Sequence, residues 1–199
     1  CTLTLVQTND TGFYFLRVTY DSVTTLNITQ PSAAVKLDVY DQARIITQPV
    51  GGLIRVTGSN VSFSVTAAGS QPLGYQWRLN RANLTEGGRI TGATNADLTI
   101  AALVTADTGS YDVVVTNAYS AATSQVATLI VYQPPGISVP PQNTAVILGS
   151  NATFRVTATG SLPIAFRWQK DGTSLTNGGR ISGATSNVLT IAATVTNDE

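Results

Sequence analysis

A block of sequence that returns at a constant interval limits the fold of this chain more than any other feature. Trp77, Arg89 and Leu98 recur as Trp168, Arg180 and Leu189, each 91 residues later. Between Ile46 and Thr108 roughly half the positions are identical at that interval, which marks a repeated structural unit. A shorter echo lies near the start, where Asp10-Thr-Gly-Phe-Tyr14 matches Asp107-Thr-Gly-Ser-Tyr111 at an interval of 97 residues. A chain of 199 residues built this way is an array of small units.

The middle copy shows what one unit is. Short runs with strand character fall at Arg55–Val56, Val61–Ala67, Leu73–Leu79, Arg89–Ile90, Leu98–Ile100, Tyr111–Thr116 and Val126–Tyr132. So many short runs in about ninety residues, separated by turn signals, predict an antiparallel β-sandwich. We expect a complete unit over 46–132, bounded by the linkers Asp41-Gln-Ala-Arg44 and Gln133-Pro-Pro-Gly136. The prolines stiffen the second linker. Residues 137–199 repeat the first part of the unit and residues 1–41 carry its last part. In the latter, Tyr14-Phe-Leu16-Arg-Val18 and Val35-Lys-Leu37-Asp-Val39 alternate as strands on either side of a polar loop from Asp21 to Gln30.

These residues resemble the immunoglobulin-like fold, closest to its I-set and variable-type domains. Trp77 looks like the buried tryptophan of strand C, and Asp107-Thr-Gly-Ser-Tyr111 looks like the tyrosine corner. The resemblance implies that Arg89 pairs with Asp107; Arg180 and Asp198 are the structural residues at the matching places of the third unit. It also implies all-β architecture, namely tandem immunoglobulin-like sandwiches with Greek-key connections. By strand letter, 1–41 would hold E-F-G and 137–199 would hold A to E. The family's two cysteines would fall at Val65 and Val113, so burial replaces the tether; a disulfide there typically contributes ~2–5 kcal/mol. Val156, Trp168 and Tyr14 take the matching places in the flanking units. Units of this kind without cysteines are similar to tandem repeats of large bacterial surface proteins.

Composition narrows the function. Charged residues make up 11% of the chain and net charge is zero, with no cluster of Lys or Arg to draw nucleic acid or anionic lipid. With no His and one Cys, the usual ligands for zinc, copper or haem are nearly absent, and a Ser-His-Asp arrangement does not exist. Asp-Thr-Gly also presents the carboxylate of aspartic proteases, but there it follows a hydrophobic strand, whereas Thr105-Ala106 precede Asp107. We therefore expect no catalysis, no cofactor and no metal. No window is long and apolar enough for a membrane-spanning helix. Asn9, Asn27, Asn60, Asn83 and Asn151 head N-x-Ser/Thr sites, and Cys1 aligns with the inward Leu98.

Two features point to contact. If Tyr14, Leu16 and Val18 face inward, then Phe13, Phe15 and Arg17 face outward and form a candidate contact surface. Without its last two strands, the unit at 137–199 would expose an inner face and an unpaired edge, which another stretch of polypeptide would have to complete. The expectation is a structural building block of an extracellular or cell-surface filament or stalk. Its partners would be neighbouring copies or continuing repeats of the same protein. The alternatives are a binding module for a protein or glycan, and a spacer attached to an extracellular enzyme.

Overall fold

The computed structural model describes residues 8–15, 17–20 and 28–198. Cys1, Leu16 and Asn27 lie outside the described residues, as does the side chain of Arg17. By backbone proximity the chain divides into two compact units. The first comprises Cys1–Gly51, Ser62–Ile100 and Ser110–Thr128, and the second Gly52–Val61, Ala101–Gly109 and Leu129–Glu199.

The first unit begins with four short strands: β1 (Gly12–Tyr14), β2 (Arg17–Tyr20), β3 (Ile28–Pro31) and β4 (Val35–Leu37). They form two antiparallel pairs, β1 with β4 and β2 with β3. The segment read as a loop up to Gln30 thus ends in a strand, because Thr29 and Gln30 pair with Thr19 and Val18 through the main chain. The rest of the fold up to residue 132 is carried by β5 (Arg44–Thr47), β6 (Leu53–Val56), β7 (Val61–Ser64), β8 (Thr66–Ala68), β9 (Gly74–Leu79), β10 (Ala82–Asn83), β11 (Ile90–Thr91), β12 (Asp97–Ile100), β13 (Gly109–Thr116), β14 (Ala121–Thr123) and β15 (Ala127–Tyr132).

In the first unit β11, β12 and β7 form one sheet, while β9 lies between β10 and β13 in another. Phe63 on β7 bridges the two layers. Its ring stacks on Tyr111 of β13 at 4.8 Å between centroids and lies 6.0 Å from Trp77 of β9. Around these three, Ala93, Leu98, Ile100, Val113 and Val115 are fully enclosed. Burial of this kind stabilises by about 25 cal/mol per Å² of apolar surface removed from water. The run Val61–Ala67 is broken at Val65, whose amide bonds to Ala96 O at 3.0 Å. Beyond it β8 pairs with β5 rather than continuing in its own sheet.

In the second unit β15 runs parallel to β6, with Leu129 opposite Leu53 and Val131 opposite Arg55. Leu103, Leu129 and Val131 are buried there. After the second linker come β16 (Gly136–Val139), β17 (Ala152–Arg155), β18 (Thr157–Thr159), β19 (Gln169–Lys170), β20 (Thr173–Ser174), β21 (Ile181–Ser182) and β22 (Val188–Ile191). They build the sheet β17-β22-β21 and the pairs β16-β18 and β19-β20. One-turn 3-10 helices at Thr8–Asp10, Thr105–Asp107 and Thr196–Asp198 mark the same corner three times.

Candidate contact surface

The recurring interior positions hold geometry rather than chemistry. On β9 alternation turns Trp77 inward, where it is completely buried, and β13 sets Val113 directly opposite it. The Trp77 indole Nε1–H donates to Asn95 O at 2.9 Å, so the one polar atom of the ring is satisfied. Val65 and Val113 are 5% and 0% exposed. Tyr111 is enclosed, and the buried Asp107 carboxylate accepts from the Val104 N–H at 2.8 Å.

Residues 137–198 repeat these contacts with different enclosure. Trp168 Nε1–H donates to Ser186 O at 2.8 Å, and Phe154 lies 6.2 Å from it. Asp198 Oδ2 accepts from the Val195 N–H at 2.8 Å, as Asp107 does from Val104. Arg180 grips the same carboxylate with two bonds of 2.6 and 3.0 Å and also donates to Ala193 O. The guanidinium, then the Val195 amide, hold the Asp198 carboxyl down from 3.8 to about 2. Arg89 and Asp107 occupy the corresponding positions of the middle copy.

Trp168, Val156 and Phe154, however, are only half-buried. Three open cavities of about 340, 370 and 460 Å³ run along this face, lined in turn by Val156 and Phe166, by Trp168 and Leu189, and by Phe154 and Val195. The stretch Ala165–Trp168 has no strand structure, whereas its counterpart Gly74–Trp77 lies within β9 and pairs with β13.

At the start of the chain Phe13 and Phe15 are 71% and 60% exposed. Tyr14 does not face a closed interior either, being 40% exposed, although its hydroxyl donates to the Asp10 carbonyl. The physical reason is that, among the described residues, β1 pairs with β4 alone in a two-stranded sheet, so alternation selects a side without a described second layer to cover it. Two contacts were not visible in the sequence pattern. Tyr40 and Tyr119 stack at 4.1 Å, both about half exposed. Asp112, which alternation between Tyr111 and Val113 turns away from the core, is nonetheless buried beneath Arg78 through bonds of 2.6 and 2.9 Å. The signal for that pair is the register that sets Asp112 opposite Arg78.

Residues 44–131 match the model of the immunoglobulin I-set domain, and residues 134–199 match that of the immunoglobulin domain. The chain carries immunoglobulin-like domains. It is similar to Contactin-4 of human and rat, 33% identical over 60% of the chain, and to Neuroglian of Drosophila melanogaster, 30% identical over 81%. The chain spans only 12% of the length of each of these relatives. Among solved structures, the titin fragment I67–I69 superposes with a TM-score of 0.77 at 20% identity, covering 97% of this chain and 68% of that one. These immunoglobulin-like relatives come from animals and lend no support to the expected bacterial source.

Proposed function

We propose that these immunoglobulin-like domains are structural and adhesive modules of an extracellular or cell-surface protein, strung in series as a stalk or filament. The observation that carries this reading is the recurrence of one core and one corner along the chain. Trp77 and Trp168 make the same indole bond, and Asp107 and Asp198 make the same capping bond. We extend the Arg180–Asp198 pair by the same logic to Arg89 and Asp107. We take the module boundaries as 1–41, 46–132 and 137–199. A repeated fold with different surfaces spaces and presents contacts rather than converging on one reaction centre, so the reading is not an enzyme.

The finer proposal concerns the open face of residues 137–198. Its chemistry fits a strand with the pattern of β13, whose Tyr111, Val113 and Val115 cover Phe63 and Trp77. The occupant is a continuing repeat or a neighbouring copy, and a neighbouring copy would join subunits head to tail. Sedimentation velocity and negative-stain electron microscopy of the full chain test this. Concentration-dependent rods support assembly through that face, whereas a compact monomer at every concentration refutes the filament.

A second reading as a binding module draws on the exposed Phe13 and Phe15, since apolar aromatics at a surface are the residues binding energy favours. Phe13→Ser with Phe15→Ser would abolish adhesion to protein- or glycan-coated beads while leaving the melting temperature in place. Unchanged adhesion would refute a role for these rings.

A further inference from the structure

Both linkers are held in the same way by unlike sequences. At the first, the Asp41 N–H donates to Ser70 Oγ at 2.8 Å and the Ser70 N–H returns a bond to Asp41 O at 3.1 Å. At the second, the Gln133 N–H donates to Ser161 Oγ and the Ser161 N–H to Gln133 O, both at 2.9 Å. In each case one linker residue exchanges both of its peptide groups with one serine. The preceding glycine makes the approach possible. A Cβ on Gly69 would lie 2.8 Å from Gln42 O, and one on Gly160 would lie 3.0 Å from Pro135 Cα. Both glycines have positive φ, at +147° and +142°, where other residues are strained.

Aligned on the gripped residue, the linkers Asp41-Gln-Ala-Arg44 and Gln133-Pro-Pro-Gly136 match at no position. Even so, each passes directly into a paired strand, with Arg44 opposite Ala68 and Gly136 opposite Thr159. The grip therefore reads the main chain and is indifferent to side chains, apart from one requirement. The gripped residue needs an N–H, and the prolines of the second linker begin one position after Gln133. At the first linker two further bonds reinforce it, from Asn117 Nδ2 to Asp41 O at 2.8 Å and from the Ala43 N–H to Ser120 Oγ at 2.7 Å.

We infer that the Gly69-Ser70 and Gly160-Ser161 turns are docking sites for the extended main chain that arrives from the preceding module. The linker then moves with the module that follows it, and bending is confined to the bonds just before Tyr40, whose ring stacks on Tyr119, and just before Gln133. This goes beyond the proposed role, because it holds whether the array is a stalk, an adhesin or a spacer.

Amide hydrogen exchange and 15N relaxation of the full chain test it. In the parent protein the Asp41 and Gln133 amides are protected, and residues 133–136 are as rigid as a strand. Ser161→Ala raises exchange at Gln133 about fivefold, the effect of losing one ordinary hydrogen bond, and loosens 133–135 while Asp41 stays protected. Ser70→Ala has the converse effect, softened by Asn117. Gln133→Pro frees the second linker, whereas Pro134→Ala does not. An unprotected Gln133 amide in the parent, or equal exchange in Ser161→Ala, overturns the inference.

Discussion

The turn from Gly92 to Asn95 is the support on which Trp77 rests, and a single methyl group should remove it. Gly92 has φ +80°, and a Cβ there would lie 1.8 Å from Asp97 O. The turn is closed by the Asn95 N–H donating to Gly92 O at 3.0 Å. It then accepts the Trp77 N–H at Ala93 O, at 2.8 Å, and the Trp77 indole at Asn95 O, at 2.9 Å. Gly88 supplies the control: its φ is +58°, and nothing lies within 4 Å of a Cβ placed on it. Gly88→Ala carries only the left-handed backbone term, about 1–2 kcal/mol. Gly92→Ala carries the same term and must also open the turn, weakening the two bonds to Trp77 at about 1 kcal/mol each, for a total of about 3–4 kcal/mol. The assay is urea denaturation followed by Trp77 fluorescence in a Trp168→Phe background, with free energies taken from linear extrapolation. If the two alanine variants agree within about 0.5 kcal/mol, close approach at Gly92 is not what restricts the turn.

Three further outcomes can be checked independently. The Asp198 carboxyl sits at about 2 in the folded chain against an ordinary 3.8, so its stabilisation is present above the higher value and is lost as pH falls through the lower. The urea midpoint read from the Trp168 indole N–H signal should therefore fall across this window in the parent more steeply than in Asp198→Asn; parallel curves would refute the pairing. Asp112→Ala leaves the half-buried Arg78 guanidinium without its bidentate partner and should lower stability by about 1–2 kcal/mol in urea, an effect that moderate salt does not reproduce in the parent. Acrylamide should quench the half-buried Trp168 in a Trp77→Phe variant far more than the enclosed Trp77 in Trp168→Phe, and equal quenching would contradict the open face.

How far the fold was legible depended on whether a feature is written along one segment or between two. Alternation along Tyr75-Gln-Trp77 and Tyr111-Asp-Val113 is a property of single strands, so the inward residues can be read directly. The Arg78–Asp112 pair needs the register between strands more than thirty residues apart, which alternation does not contain. Tyr14 shows the same limit, since a pattern names the side a ring faces but not the layer that covers it. The linkers hid their structure for a related reason: Asp41 and Gln133 are fixed through peptide groups, which every residue except proline carries alike.

The sharpest case is Trp77 against Trp168, at the same place in the repeat and bonded alike through the indole, although their neighbours differ (Tyr75-Gln-Trp77-Arg-Leu79 against Phe166-Arg-Trp168-Gln-Lys170). The first lies in a strand because β13 pairs with it, and the second lies in a stretch with no strand structure. The recurring tryptophan thus keeps its indole bond without a partner strand, whereas the enclosure of Trp77 comes with β13. It follows that the state of Trp168 should change when a β13-like strand is supplied. A peptide spanning Gly109–Thr116 added to the full chain should shift Trp168 emission to the blue and protect it from acrylamide. No change at saturating peptide would mean that the face is not a strand-binding surface, and the head-to-tail proposal would fall with it.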